Sequence, residues 1–151
     1  MKSLANAENY AEIRTRIDAL TPSDERLWGE MGVHGMVCHL SDAFRLCVGE
    51  KTASDVSGVL QRTLVKWVAL RLPVQWLKNI QTVPEVKQGV GGTPPTRFDD
   101  DRRELLQLME RFRCPGASLN PAHPIFGRMT EREWMRWGYL HTDHHLRQFG
   151  R

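Results

Sequence analysis

Two histidines stand four residues apart near the end of the chain, His141 and His145, in the segment Tyr139 to Phe149. On a helix this spacing sets them ~40° apart in azimuth and ~6 Å apart along the axis, on one face. Two imidazoles so placed can converge on one ion at the ~2.0–2.1 Å usual for zinc–nitrogen bonds. Trp134, Gly138 and Gln148 fall on the same face, so the pair continues an inward-facing stripe. A buried polar group without a partner costs about 1–3 kcal/mol, and one metal ion satisfies both rings.

A third ligand has to come from another element. His39 is the histidine centred on the apolar stripe of a different long helix, Met36, His39, Leu40, Ala43 and Cys47. Facing helices of a bundle are a natural source of such ligands. The alternative for all three is a set of hydrogen-bonded core histidines without metal. Three further residues are placed to assist. His144, ~60° from His141 on the helix, directly precedes His145 and supports the site or faces a neighbouring helix. Cys38 adjoins His39, although a free cysteine on an apolar stripe also reads as a small buried hydrophobe. Asp42 lies one turn after His39, and its plainer reading is a solvated helix residue. No residue is identified as catalytic.

Familiar catalytic signatures are missing. Thr142 stands where an HExxH motif needs glutamate, and there is neither a G-x-S-x-G elbow nor a Walker-type loop. Three cysteines, Cys38, Cys47 and Cys114, with no CxxC pair, argue against a disulfide framework and a cysteine zinc site.

The elements that must position these groups read as helices. Tyr10, Ile13, Ile17 and Leu20 recur at helical steps and predict a first helix over Asn6–Ala19 with Asn6 as N-cap. A second helix spans Gly32–Val48, and a third Val56–Leu72, stopped by Pro73. Prolines and glycines make the stretch from Pro73 to Phe98 a long connection, either mobile or functional, with Trp76 and Leu77 anchoring its start. A fourth helix begins at Asp99-Asp100-Asp101, where acidic charge suits the helix dipole, so these aspartates are not read as a metal site. Its stripe is Leu105, Leu108, Met109 and Phe112. A second loop carries Pro121, His123, Pro124 and Gly127. Thr130 and Glu133 form a capping box that starts the last helix, which runs to about Phe149. No strand-length alternation stands out. The expected fold is all-α: one domain over residues 1–151, an antiparallel four-helix bundle with an accessory helix and a long connecting loop.

Composition narrows the function. With 151 residues, 40% hydrophobic and 26% charged, the chain suits one globular domain. No segment approaches the ~18 apolar residues of a membrane span, and the N-terminus lacks the apolar run of a signal peptide. A soluble, cytoplasmic protein is expected. The net charge of +3 is spread along the chain. Arg62, Lys66 and Arg71 read as a solvated face, not as a nucleic-acid surface.

The pattern of His39 in Met36-Val-Cys-His-Leu-Ser-Asp-Ala43, with His141, His144 and His145 in His-Thr-Asp-His-His-Leu-Arg-Gln-Phe-Gly150, resembles the DinB/YfiT-like superfamily of metalloenzymes. Within it the chain resembles a small branch of unknown function, through Trp28-Gly29, His123-Pro-Ile-Phe-Gly127 and Glu133-Trp134. The resemblance covers nearly the whole chain, and the last helix is its most specific part. It implies a four-helix bundle, a tendency to homodimerise, and a divalent ion, zinc or nickel, held by His39, His141 and His145 with water completing the coordination. Relatives are thiol-dependent transferases or isomerases, or metal-dependent hydrolases. The basic residue that often directly follows the histidines is Leu146 here, with Arg147 one step later, and no second candidate for a catalytic carboxylate is evident.

Three functions therefore stay open. One is a metal-dependent enzyme, hydrolytic or thiol-dependent, acting on a small molecule. Another is a non-catalytic dimeric module with a structural or vestigial metal site. The third is a binder of a thiol or small ligand, closed over by the loop Pro73–Phe98.

Overall fold

The fold was taken from a computed structural model that describes residues 1–72, 75–78 and 82–151. The chain is mostly helical. Among the described residues the α-helices are α1 (Ala7–Asp18), α2 (Val33–Cys47), α3 (Lys66–Arg71), α4 (Phe98–Arg113) and α5 (Glu131–Gln148). Helix α2 packs most extensively on α4, and α1 on α5. Helix α5 also touches α2 and α3, which makes it the element through which the site is assembled.

The helical stripes meet in a single core. Tyr10, Ile13 and Ile17 of α1 are buried, as are Met36, Leu40, Ala43 and Cys47 of α2. Leu105, Leu108, Met109 and Phe112 of α4 face them. Phe44 sits edge-on to Phe112 at 5.1 Å between ring centroids, an arrangement that adds to simple apolar burial. Gly138, in the middle of α5, lets the helix approach closely: a Cβ there would lie 2.9 Å from Leu4 Cδ1 and 3.0 Å from Phe112 Cε1.

Caps fix the helix ends. Asn6 accepts the Asn9 N–H at the start of α1. At α5, Thr130 accepts the Glu133 N–H while the Glu133 carboxylate accepts the Thr130 N–H, closing the capping box. The acidic start of α4 is also confirmed, with Asp99, Asp100 and Asp101 in its first turn.

Three local expectations change. The third helix does not begin at Val56. The Val56 N–H donates to the Pro124 carbonyl and Asp55 accepts the Ser57 N–H, so this stretch is held outside the helix, whose first turn starts at Val59. A π-helical stretch, Gln61–Val65, then leads into α3. The expected stop at Pro73 lies outside the described residues. A two-residue antiparallel pair, β1 (Ala122–His123) with β2 (Gly127–Arg128), forms where no strand is expected, its turn closed by Gly127 at φ 64°. Finally, the long connection is not structureless: a 3-10 turn covers Pro84–Val86, and Val83 and Val86 are buried. Trp76 anchors it by donating its indole N–H to the Ala69 carbonyl, whereas Leu77 is 77% exposed.

Candidate metal centre

His39 of α2 and His141 and His145 of α5 come together. One ring nitrogen from each lies within 4.8 Å of the others, close enough for the three to hold a metal ion. The ring centroids form a triangle with sides of 5.3, 4.8 and 4.8 Å. Between His39 and His141 the two Nε2 atoms stand 3.4 Å apart.

Two of the rings are oriented by acceptors on their far side. The His39 Nδ1–H donates to the Val86 carbonyl at 2.9 Å. The His145 Nδ1–H donates to Gln148 Oε1 at 3.1 Å, and the Gln148 amide donates in turn to the Trp28 carbonyl. Carbonyl oxygens can only accept, so both rings carry their protons on Nδ1 and leave Nε2 as a lone pair. The third ring, His141, stacks on Trp137 at 4.7 Å between centroids. Its Nδ1 is buried and has no hydrogen-bond partner among the described residues.

Burial depresses the basicity of all three. His39 is lowered from the usual histidine range by desolvation, against the opposing pull of the Val86 carbonyl and the Asp42 charge. Desolvation first, and then the neighbouring imidazoles, push His141 and His145 well below that range. The rings are therefore neutral at pH 7, the form that binds metal.

The flanking candidates separate. His144 is at the site: its ring lies 5.3 Å from that of His145, between Trp28 and Trp76. Its Nδ1 is buried without a partner among the described residues, and burial followed by the Arg147 charge lowers its pKa to about 4. Cys38 instead faces α4. Its thiol donates to Asp101 and is pushed up to about 12 by burial and then by that carboxylate.

Around Asp101 a second grouping, His34, Cys38 and Asp101, is also compact enough to hold an ion. Its hydrogen bonds already account for it: Asp101 accepts from His34 at 2.7 Å and from the Thr96 N–H and hydroxyl. Asp42 is not a solvated residue. Its side chain is fully buried and accepts from Arg45, Lys51 and both the N–H and hydroxyl of Thr93. Burial alone would raise its pKa, but these donors together hold it below the ordinary carboxylate range.

A cavity of about 460 Å³ reaches the histidines. His39, His141 and His144 line it together with residues of α3, Trp76, Leu77, Val83, Val86 and the β1–β2 turn. His123 also lines it, with its Nδ1 accepting the N–H groups of Ile125 and Phe126, and burial lowers its pKa to about 3.

Among the tryptophans, Trp76, Trp134 and Trp137 line the cavity, and Trp67 is 54% exposed. The orienting acceptors are the part that sequence reasoning missed. Gln148 is visible as a polar residue three positions after His145 on an inward face. The Val86 carbonyl carries no side-chain signature.

The family described as "Protein of unknown function (DUF1569)" matches residues 6–151, and the chain belongs to it. No curated protein and no solved structure matches the chain.

Proposed function

We propose that this protein is a divalent-metal enzyme built on an antiparallel four-helix bundle of the DinB/YfiT-like type, acting on a small molecule by hydrolysis or thiol-dependent transfer. The observation that carries the metal reading is the 3.4 Å separation of His39 Nε2 and His141 Nε2. Nitrogen–nitrogen hydrogen bonds of ordinary strength are shorter, near the ~2.7–3.2 Å range of N–H donors. Two nitrogens at ~2.0–2.1 Å from a tetrahedral ion stand about 3.3–3.4 Å apart. The donor set supports the same reading, with lone pairs turned inward on His39 and His145 by Val86 and Gln148.

A bound divalent ion supplies Lewis acidity, polarising a carbonyl or acidifying a water or thiol. The chain's own contributions are distinct. Val86 and Gln148 fix two rings, Trp137 supports the third, and apolar walls flank the histidines. His144, neutral at pH 7 and with no partner for its Nδ1 among the described residues, is the group available to hydrogen-bond a substrate head beside the triad. The cavity favours the enzymatic reading over a purely structural ion, because structural sites are closed by protein ligands whereas this one adjoins open volume. Imidazole accepts several metals, and zinc and nickel are the two proposed.

The chain is further proposed to act as a homodimer. An exposed apolar stretch on the segment leading into α3, with Val59, Leu60 and Leu64, supports this reading. No helix is long and apolar enough to cross a membrane among the described residues.

Calorimetric titration of chelator-treated protein with zinc and with nickel tests the proposal. Saturation at one ion per chain, lost in His39→Ala, supports it. Equal binding by wild type and His39→Ala refutes it.

A further inference from the structure

The cavity that reaches the triad has walls of one chemical kind. Val68 of α3, Trp76, Val86, Ile125, Phe126 and Trp137 of α5 supply much of its surface. No Asp, Glu, Lys or Arg lines it among the described residues. Residues 73, 74 and 79–81 add no charged type in the sequence. Among the described residues, its polar side chains apart from Gln75 and Thr82 are the imidazoles of His39, His123, His141 and His144. Two of these present buried nitrogens without partners among the described residues, His141 Nδ1 and His144 Nδ1.

Such a space discriminates by charge. An ionised group moved into it loses its hydration and finds no counter-charge on the walls, which costs several kcal/mol. Apolar surface gains roughly 25 cal/mol for each Å² it buries there. A volume of about 460 Å³ is in the range that takes a small organic molecule. Glutathione-like thiols, with two carboxylates and an ammonium group, are poorly matched to these walls.

We infer that the cavity selects a neutral, mainly apolar molecule, an aryl or alkyl body bearing one uncharged polar head that meets the histidines. The contact of the head group with an ion rests on the proposed metal function. The selection for an apolar body rests on the walls alone.

The test uses the full chain as purified, with the neutral fluorophore N-phenyl-1-naphthylamine as probe. Two competitors share a thiol and differ in the body that carries it: benzyl mercaptan, which is apolar, and glutathione, which is charged. The expected result is probe binding that benzyl mercaptan displaces and glutathione at equal concentration does not. Val68→Trp, which fills the cavity, lowers probe affinity about tenfold or more while metal content is unchanged. Should circular dichroism show Val68→Trp to be unfolded, Ile125→Lys, which places a charge on the wall, takes its place with the same expected loss. Absence of probe binding, or equal displacement by both thiols, overturns the inference. Displaceable probe binding by protein that takes up no metal sinks the metal function alone and leaves the apolar selection standing.

Discussion

Gln148 holds His145 by accepting its Nδ1–H at 3.1 Å, while the Gln148 amide is itself tied to the Trp28 carbonyl. One turn of α5 thus contributes a ligand and the group that aims it. Removing an orienting partner of a metal-bound histidine typically costs 10–100-fold in affinity. Gln148→Leu is expected to weaken zinc binding by about that factor, with little loss of helix content by circular dichroism. Unchanged affinity would show that His145 is aimed by packing alone.

Asp42 joins α2 to Thr93 and Lys51 through a fully buried carboxylate. Its removal leaves Arg45 and Lys51 without their shared partner. Asp42→Ala is expected to destabilise the fold by about 3 kcal/mol or more, read from denaturant melts. Its effect on metal affinity is expected to be smaller than that of His39→Ala, because Asp42 makes no hydrogen bond to the triad.

Acid should loosen the metal-free protein well before its carboxylates titrate. His123 and His144 are lowered to about 3 and about 4. A histidine whose folded pKa lies below its unfolded value of ~6.5 takes up its proton more readily when unfolded. Its contribution is therefore complete above pH ~6.5 and is lost as pH falls toward the folded value, by about 1.4 kcal/mol per pH unit for each such group. Melts in chelator from pH 7.5 to 4.5 check the slope. His123→Asn, which keeps an acceptor for the Ile125 and Phe126 N–H groups, should reduce it.

Proton competition with metal should begin late. His39, His141 and His145 are all depressed by burial. Zinc affinity is therefore expected to stay level down to about pH 6.5, where ordinary imidazoles would already be half protonated. A fall beginning above pH 7 would place the ligands in a more solvated setting.

Much of this arrangement was legible in the sequence because it rests on helical periodicity. The four-residue spacing put His141 and His145 on one face, and the Met36–Cys47 stripe put His39 on another inward face. Capping by Asn6 and by the Thr130–Glu133 box was equally readable, since each depends on residue types at short fixed offsets. What escaped depends on contacts between distant segments. The Val86 carbonyl reaches His39 across 47 positions, and any residue at 86 would offer a carbonyl. The burial of Asp42 follows from Arg45, Lys51 and Thr93 converging, which the pattern within α2 could not reveal. The π-helical Gln61–Val65 and the two-residue β pair are too short to leave a periodic trace.

His39, His141 and His145 are proposed to share one ion. Elemental analysis of protein purified without chelator, wild type beside His39→Ala, His141→Ala and His145→Ala, measures this most directly. About one divalent ion, zinc or nickel, is expected per wild-type chain, with a large loss in each folded variant. Equal metal content in wild type and all three variants, or a metal-free wild type that stays metal-free after zinc and nickel are supplied, would contradict it.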